Sequence, residues 1–254
     1  MKKILCAVGL VLGITCSLEA KETLSLKLEP EQKVVLSGSP QEVVVKIDLT
    51  ATTGKKTRRS PLNLAVVLDR SGSMSGAKIE QARQAACDLV DQLTDGDIFS
   101  LITYSSGVEV LVRAHPVEDK ESLKRTISRI EASGNTALHA GVEKGADELQ
   151  RYFSSKKINR VILLSDGLAN VGPSSTSDLR RLGQRLAGRG MAVTTIGLGD
   201  NYNEDLMAGL AEASDAYYYY VKDTEKLPAI FAKELGELLD VVARDVRIEI
   251  VCPE

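Results

Sequence analysis

Leu64-Ala65-Val66-Val67-Leu68-Asp69-Arg70-Ser71-Gly72-Ser73-Met74-Ser75 decides the fold. The unbroken apolar run is what a strand covered on both faces requires, and such strands belong to parallel sheets packed between helices. It ends in a carboxylate and two hydroxyls two residues apart, with a glycine between them. Beyond it Ile79, Ala82, Ala86, Leu89, Val90 and Leu93 recur at helical spacing. The polar cluster therefore occupies a strand-to-helix loop at the carboxyl end of the strand, where open parallel sheets bind ligands.

Working outward, strand and helix alternate from Leu62 to Leu239, the pattern of a doubly wound, mostly parallel α/β sheet flanked by helices. Asp97–Tyr104 and Val108–Val112 read as strands joined by Ser105-Ser106-Gly107, a hairpin-length connection that makes one sheet edge antiparallel. A helix is expected over Asp119–Glu131 and another from Ala137 to Phe153, opened by the loop Ser133-Gly134-Asn135-Thr136. Arg160–Ser165 is a second apolar strand and ends at Asp166-Gly167, echoing Leu68-Asp69. Further helices are expected over Ser177–Ala187, Glu204–Ala213 and Thr224–Leu239, with strands at Ala192–Leu198 and Ala216–Val221.

The two ends of the chain read differently. Residues 1–20 have the form of a secretory signal: Lys2-Lys3, an apolar region from Ile4 to Ile14, and a small residue at Ala20. That apolar region is too short for a permanent membrane span, and Gly13-Ile14-Thr15-Cys16 is a poor lipoprotein box. Residues 21–61 carry alternating apolar positions (Leu24, Leu26, Leu28; Val43, Val45, Ile47, Leu49) and a basic linker, a small β module. Val246, Ile248 and Ile250 alternate within residues 241–254, so a last strand is expected to pair with that module and make residues 62–240 an insertion.

The 254 residues carry a formal net charge of −3 and show no basic face of the kind that binds nucleic acid. Cys6 and Cys16 leave with the leader, so Cys87 and Cys252 remain as two separate thiols rather than a disulfide framework.

Asp69-x-Ser71-x-Ser73 alone is a weak signal, expected by residue frequencies in about one chain in twenty of this length. Context gives it meaning, because Asp166 ends a second strand of the same type and Thr136 stands at a loop-to-helix junction. Hydroxyl and carboxylate oxygens suit a hard divalent cation, magnesium first, with manganese or calcium as alternatives. The cluster has no thiol or imidazole, which argues against zinc. An ion held chiefly by neutral oxygens stays electrophilic and can recruit a carboxylate from another molecule.

These residues resemble the von Willebrand factor type A (vWA) domain with its metal-ion-dependent adhesion site. The match runs through Asp69, Ser71 and Ser73 in Leu-Asp-Arg-Ser-Gly-Ser-Met, Thr136 in Ser-Gly-Asn-Thr-Ala-Leu, and Asp166 in Leu-Leu-Ser-Asp-Gly. The resemblance implies Ser71 and Ser73 as direct ligands, Thr136 and Asp166 as ligands direct or through water, and Asp69 as the residue that orients them. It also implies a protein partner supplying an acidic side chain, and a C-terminal helix able to couple to the site.

Simpler readings stand beside these. Ser71 and Ser73 could cap the following helix. Arg70, His139 and Asp200 are candidates for a partner-binding rim, against packing for His139 and helix capping for Asp200 and Asn203. Tyr217–Tyr220 is better explained by strand alternation than as an aromatic binding strip. The expected function is an exported metal-dependent binding module and not an enzyme. The alternatives are a magnesium-dependent phosphotransferase or phosphatase using Asp69 as nucleophile, and an assembly scaffold. Against the enzyme, Ser71 stands where a dehalogenase-like fold wants a second acid, and no Gly-x-Ser-x-Gly elbow is present.

Overall fold

A computed structural model describes residues 24–30, 44–51, 59–200, 202–241, 246, 248 and 249. Its strands are β1 (Leu24–Pro30), β2 (Val45–Ala51), β3 (Leu62–Asp69), β4 (Ile98–Tyr104), β5 (Val108–Pro116), β6 (Ile158–Ser165), β7 (Ala192–Leu198) and β8 (Tyr218–Val221). The α-helices are α1 (Ala77–Gln92), α2 (Lys120–Ile127), α3 (Leu138–Arg151), α4 (Thr176–Ala187), α5 (Glu204–Ala213) and α6 (Leu227–Leu239).

One sheet of six strands has the order β5-β4-β3-β6-β7-β8. Neighbours run parallel except β4 and β5, whose antiparallel pairing follows from the short Ser105–Gly107 connection. The chain leaves β3 toward one edge, then returns to β3's other side with β6 and proceeds to the opposite edge. The order therefore reverses between β3 and β6, the switch point at which doubly wound sheets leave a crevice. Leu68 pairs with Leu164, so Asp69 and Ser165 reach the carboxyl edge at the same level.

Every residue of β3 and β4 is buried, as is every residue of β6 except the half-buried Arg160. Ala65 and Val67 face a core shared with Leu138, Val142 and Ala146 of α3, Leu179 and Leu182 of α4, and Leu210 of α5. The alternate residues Leu64, Val66 and Leu68 point to the other face and are equally inaccessible. The helices not in that core, α1, α2 and α6, pack with one another, α1 meeting both of its fellows.

Two glycines bring α3 down onto the sheet. A Cβ at Gly141 would lie 2.8 Å from Tyr104 Cδ1, and one at Gly145 would lie 2.7 Å from Val67 Cγ2. This close approach fixes the start of α3, and with it Thr136, above the ends of β3 and β4.

Several boundaries differ from the sequence reading. α2 stops at Ile127 rather than Glu131: Arg129 N and Ile130 N bond the carbonyls three residues back, Thr126 and Ile127, instead of four, and Arg83 of α1 donates its Nε to the Ile130 carbonyl at 2.7 Å. The last helix opens with a 3₁₀ turn, Thr224–Lys226, in which Asp223 accepts from Glu225 N before α6 begins. β5 runs on to Pro116, and β8 starts at Tyr218 rather than Ala216.

The β1–β2 pair is a separate antiparallel two-stranded sheet, from Leu24 opposite Ala51 to Pro30 opposite Val45. Ser60–Leu239 forms one compact unit, to which the β1–β2 pair does not belong. The expected signal, residues 1–20, lies outside the described residues, as does Cys252. The strand expected within residues 241–254 falls mostly outside them too, and Val246, Ile248 and Glu249 carry no strand assignment. Cys87 is a free, half-buried thiol. Among the described residues no helix is long and apolar enough to cross a membrane.

Candidate metal centre

Asp69 ends β3 with no exposed surface, and both of its oxygens are engaged. Oδ1 accepts from the Ser71 backbone N–H at 2.8 Å and Oδ2 from Ser165 Oγ at 2.8 Å. The first bond folds the Asp69–Ser71 turn back on itself. The second ties the ends of β3 and β6 together across the switch point.

The serines are not helix caps. Ser71 precedes a 3₁₀ turn, Gly72–Met74, without a capping side-chain bond, and α1 starts later, behind Gly76. Instead Ser71 Oγ and Ser73 Oγ share a hydrogen bond of 3.1 Å, and Ser73 Oγ donates to Asp166 Oδ1 at 2.7 Å. Ser71 and Asp166 are buried while Ser73 is exposed, so the cluster opens to solvent on the Ser73 side.

Thr136 arrives from the α2–α3 loop, which backbone bonds lace to the β3–α1 loop and to the β4–β5 turn. Gly72 N donates to Gly134 O at 2.9 Å, Ser133 N to Arg70 O at 2.6 Å, and Ala137 N to Ser105 O at 2.8 Å. Gly134 adopts φ +82, and a Cβ there would meet Ser106 Oγ at 2.9 Å, so glycine suits both the turn and the space. On its other side Thr136 N donates to Asn170 Oδ1 at 2.9 Å. The point of convergence is marked by Gly167, where a Cβ would lie 3.4 Å from both Ser73 Oγ and Thr136 Oγ1. The absent side chain leaves a cradle between two hydroxyls.

Burial pushes the Asp69 carboxyl above its ordinary range and the nearby Asp166 carboxylate adds to this, against the opposing pull of the Ser71 and Ser165 hydrogen bonds. The Tyr104 phenol is also pushed well up by its burial and by Asp69; its hydroxyl donates to Leu164 O at 3.0 Å. Among the described residues no three His, Cys, Asp or Glu side chains are grouped to hold a metal. An ion here would depend on Ser71, Ser73 and Thr136 as much as on the two carboxylates. That donor set fits a hard divalent cation.

The rim candidates fare unequally. Arg70 lies beside the cluster, with Nη1 donating to Ser133 Oγ at 2.8 Å and Nη2 3.9 Å from Glu109. It lines a cleft of about 440 Å³ together with Thr103, Glu109, Leu111, Arg129 and Ser133. His139 turns to its own helix, with Nδ1 3.4 Å from Glu143. Asp200 accepts from the Tyr220 hydroxyl, while Asn203 caps α5 by accepting from Leu206 N at 3.0 Å.

The tyrosines alternate as a strand requires. Tyr218 and Tyr220 both face Tyr202, with centroids at 6.5 and 6.1 Å, and Tyr217 lies 6.2 Å from Tyr219. Sequence reasoning missed Ser165, Asn170 and Lys78. Lys78 Nζ lies 2.5 Å from Asp166 Oδ2. For Ser165 a signal existed: strand alternation turns it away from the apolar neighbour that precedes it and level with Asp69.

Fold and site together define a class, a doubly wound domain whose switch point presents an acidic, hydroxyl-rich cluster. The family model described as the von Willebrand factor type A domain matches residues 63–233, well over half of the chain, and the chain belongs to that family. An uncharacterised protein of Synechocystis sp., sll0103, is 28% identical over 200 residues, which cover 79% of this chain and 47% of that protein. The chain thus spans about half the length of that relative. Among solved structures, a von Willebrand factor type A protein from Catenulispora acidiphila matches with a TM-score of 0.69 at 23% identity, over 84% of this chain and 50% of its own. Proximal thread matrix protein 1 of the mussel byssus, with zinc in its adhesion-site motif, matches with a TM-score of 0.60 at 21% identity, over 70% and 46%.

Proposed function

We propose that the chain is an exported protein-binding module that works through a divalent cation. Ser71 and Ser73 would hold the ion directly, Thr136 and Asp166 directly or through water, and Asp69 would fix the turn that carries the serines. The ion would supply an electrophilic position for an acidic side chain of a partner protein. The observation that carries this reading is the convergence of three loops on the Gly167 cradle, with Ser73 Oγ and Thr136 Oγ1 each 3.4 Å from the position a Cβ would take. Export rests on the form of residues 1–20, and the destination would be the periplasm, the cell surface or the medium.

Asp69 is poorly placed to be a phosphotransferase nucleophile. It has no exposed surface, and each oxygen already accepts a hydrogen bond from the chain itself. The donor chemistry favours magnesium, with manganese and calcium sharing the same preference for oxygen. The zinc in the mussel protein's site makes zinc a necessary arm of any test.

The test is the thermal midpoint of the purified protein in chelator and then in magnesium, manganese, calcium or zinc, beside Asp69→Ala and Ser71→Ala. An ion that binds only the folded state raises the midpoint by mass action. The wild type is expected to respond to at least one oxygen-seeking ion and both variants to none. A wild type indifferent to every ion sinks the reading.

A further inference from the structure

Lys78 is the one cationic side chain seen in direct contact with the five-residue cluster among the described residues. It is the second residue of α1, whose start is turned by Gly76 at φ +76. Its ammonium lies 2.5 Å from Asp166 Oδ2, on the carboxylate whose other oxygen accepts from Ser73. The loop after β7 walls it in: a Cβ at Gly199 would sit 3.8 Å from both Lys78 Cε and Nζ. The lysine side chain is 25% exposed and its partner is fully buried, so this is a seated contact rather than a surface pair.

The sum of charge gives the contact a meaning. Asp69 and Asp166 carry two negative charges and Lys78 one positive. With the two carboxylates alone a divalent cation would reach neutrality, and a further carboxylate would overshoot it. With Lys78 in place the same ion leaves one positive charge over, which one further carboxylate cancels. Charges this close, in a partly buried site, interact strongly enough to set such a preference.

We infer that Lys78 is a resident counter-cation that makes the metal site selective for an incoming carboxylate. It opposes binding of the ion alone and favours the ion together with an acidic ligand. This rests on the proposed function and adds a specificity-determining residue to it.

The experiment titrates magnesium into wild type, Lys78→Met, Lys78→Gln and Lys78→Arg, reading the thermal midpoint. Each titration is run in sodium chloride and in sodium acetate at equal ionic strength, acetate being the carboxylate probe. In chloride, the midpoints of Lys78→Met and Lys78→Gln are expected to begin to rise at about tenfold less magnesium than that of wild type. Acetate should tighten magnesium binding in wild type and Lys78→Arg, and that gain should vanish in the two neutral variants. Replacing a merely structural lysine would lower all midpoints without moving the magnesium concentration at which the rise begins.

If wild type responds to magnesium but the neutral variants bind it no more tightly, or keep the acetate gain, Lys78 has no such role and the metal site stands without it. If wild type responds in neither salt, with manganese and calcium as further arms, the metal reading and the inference fall together. Two neutral variants guard against one of them failing to fold.

Discussion

Glu234 and Asp69 are equally inaccessible to solvent, yet what surrounds them differs in kind. Glu234, on α6, accepts from Thr194 Oγ1 at 2.5 Å and Tyr219 OH at 3.1 Å, and lies 3.8 Å from Arg160 Nε. One negative charge meets one positive charge, and the remaining lone pairs meet hydroxyls that donate. Burial pulls the Arg160 guanidinium down from its ordinary value while Glu234 pushes it back. At the other place Asp69 and Asp166 face one another's charge, and among the described residues Lys78 alone is seen to offset them. The first arrangement is balanced in charge, although Arg160 Nε is buried without a hydrogen-bond partner, whereas the second is short of positive charge. A buried carboxylate whose charge is matched within the chain is costly to unpair, and one left short of positive charge is disfavoured in its charged form unless a cation offsets it.

The sharpest way to break this contrast is at Glu234. Replacing it with alanine leaves the Arg160 charge buried and unpaired, which is expected to cost about 3–5 kcal/mol of stability. Urea unfolding checks this. A loss below about 1 kcal/mol would make the pair no more than a surface bridge. The metal response of the surviving folded protein is expected to persist, because Glu234 lies outside the cluster.

A smaller effect is expected from packing. Gly145→Ala drives a methyl to within 2.7 Å of Val67 Cγ2, where helix α3 has no room to retreat without lifting off β3. Overpacking of this kind costs about 1–3 kcal/mol. Because Thr136 stands in the loop just before α3, the variant should also bind metal more weakly, measured as a higher ion concentration at which the midpoint begins to rise. Unchanged unfolding would show that α3 can move freely over the sheet.

Asp69→Asn should invert the usual sign. Asparagine can still accept from Ser71 N and can donate to Ser165 Oγ, so the turn survives. The folded Asp69 carboxyl lies above its ordinary value of 3.8, so between that value and the raised one the folded state holds more protons than the unfolded. Stability contributed by the acid is therefore full below 3.8 and is lost as pH rises through the folded value. In chelator, Asp69→Asn is expected to equal wild type at low pH and to gain on it as pH rises, while losing its response to metal. A variant less stable than wild type at neutral pH would show that the site's charge is balanced after all.

Much of the fold and of the five-residue cluster is legible in the amino-acid sequence, and the reason is physical. Leu64–Leu68 and Val161–Leu164 are apolar without alternation because both faces of their strands are covered, and Asp69 and Asp166 mark where that cover ends. Ser105–Gly107 is too short for anything but an antiparallel return. Lys78 is not legible: a lysine near the start of an amphipathic helix reads as solvated. Its partner stands 88 residues away along the chain, brought near by the Gly76 turn and the β3–β6 pairing. Ile130 misleads for the opposite reason. It is buried, at 3% exposure, and falls at helical spacing after Ile127, but its N–H bonds the Ile127 carbonyl only three residues back, the helix having already ended, and its own carbonyl is held by Arg83 of α1. Contacts between distant segments decide such positions, and local periodicity carries no record of them.

The gentlest test acts on the cradle alone. Gly167 follows Asp166 directly, and its φ is not among the left-handed values that would bar a side chain. A methyl there meets Ser73 Oγ and Thr136 Oγ1 at 3.4 Å, an ordinary contact, so Gly167→Ala should change stability in chelator by no more than about 0.5 kcal/mol. That methyl occupies the space toward which the two hydroxyls converge. The metal-induced rise in midpoint expected of wild type should therefore be lost or sharply reduced, although every oxygen of the cluster is retained. If Gly167→Ala keeps the full response, the ion sits away from the Ser73–Thr136 cradle. Ser71 and Asp166 would then be its principal ligands, and the contrast with Glu234 would rest on charge rather than on shape.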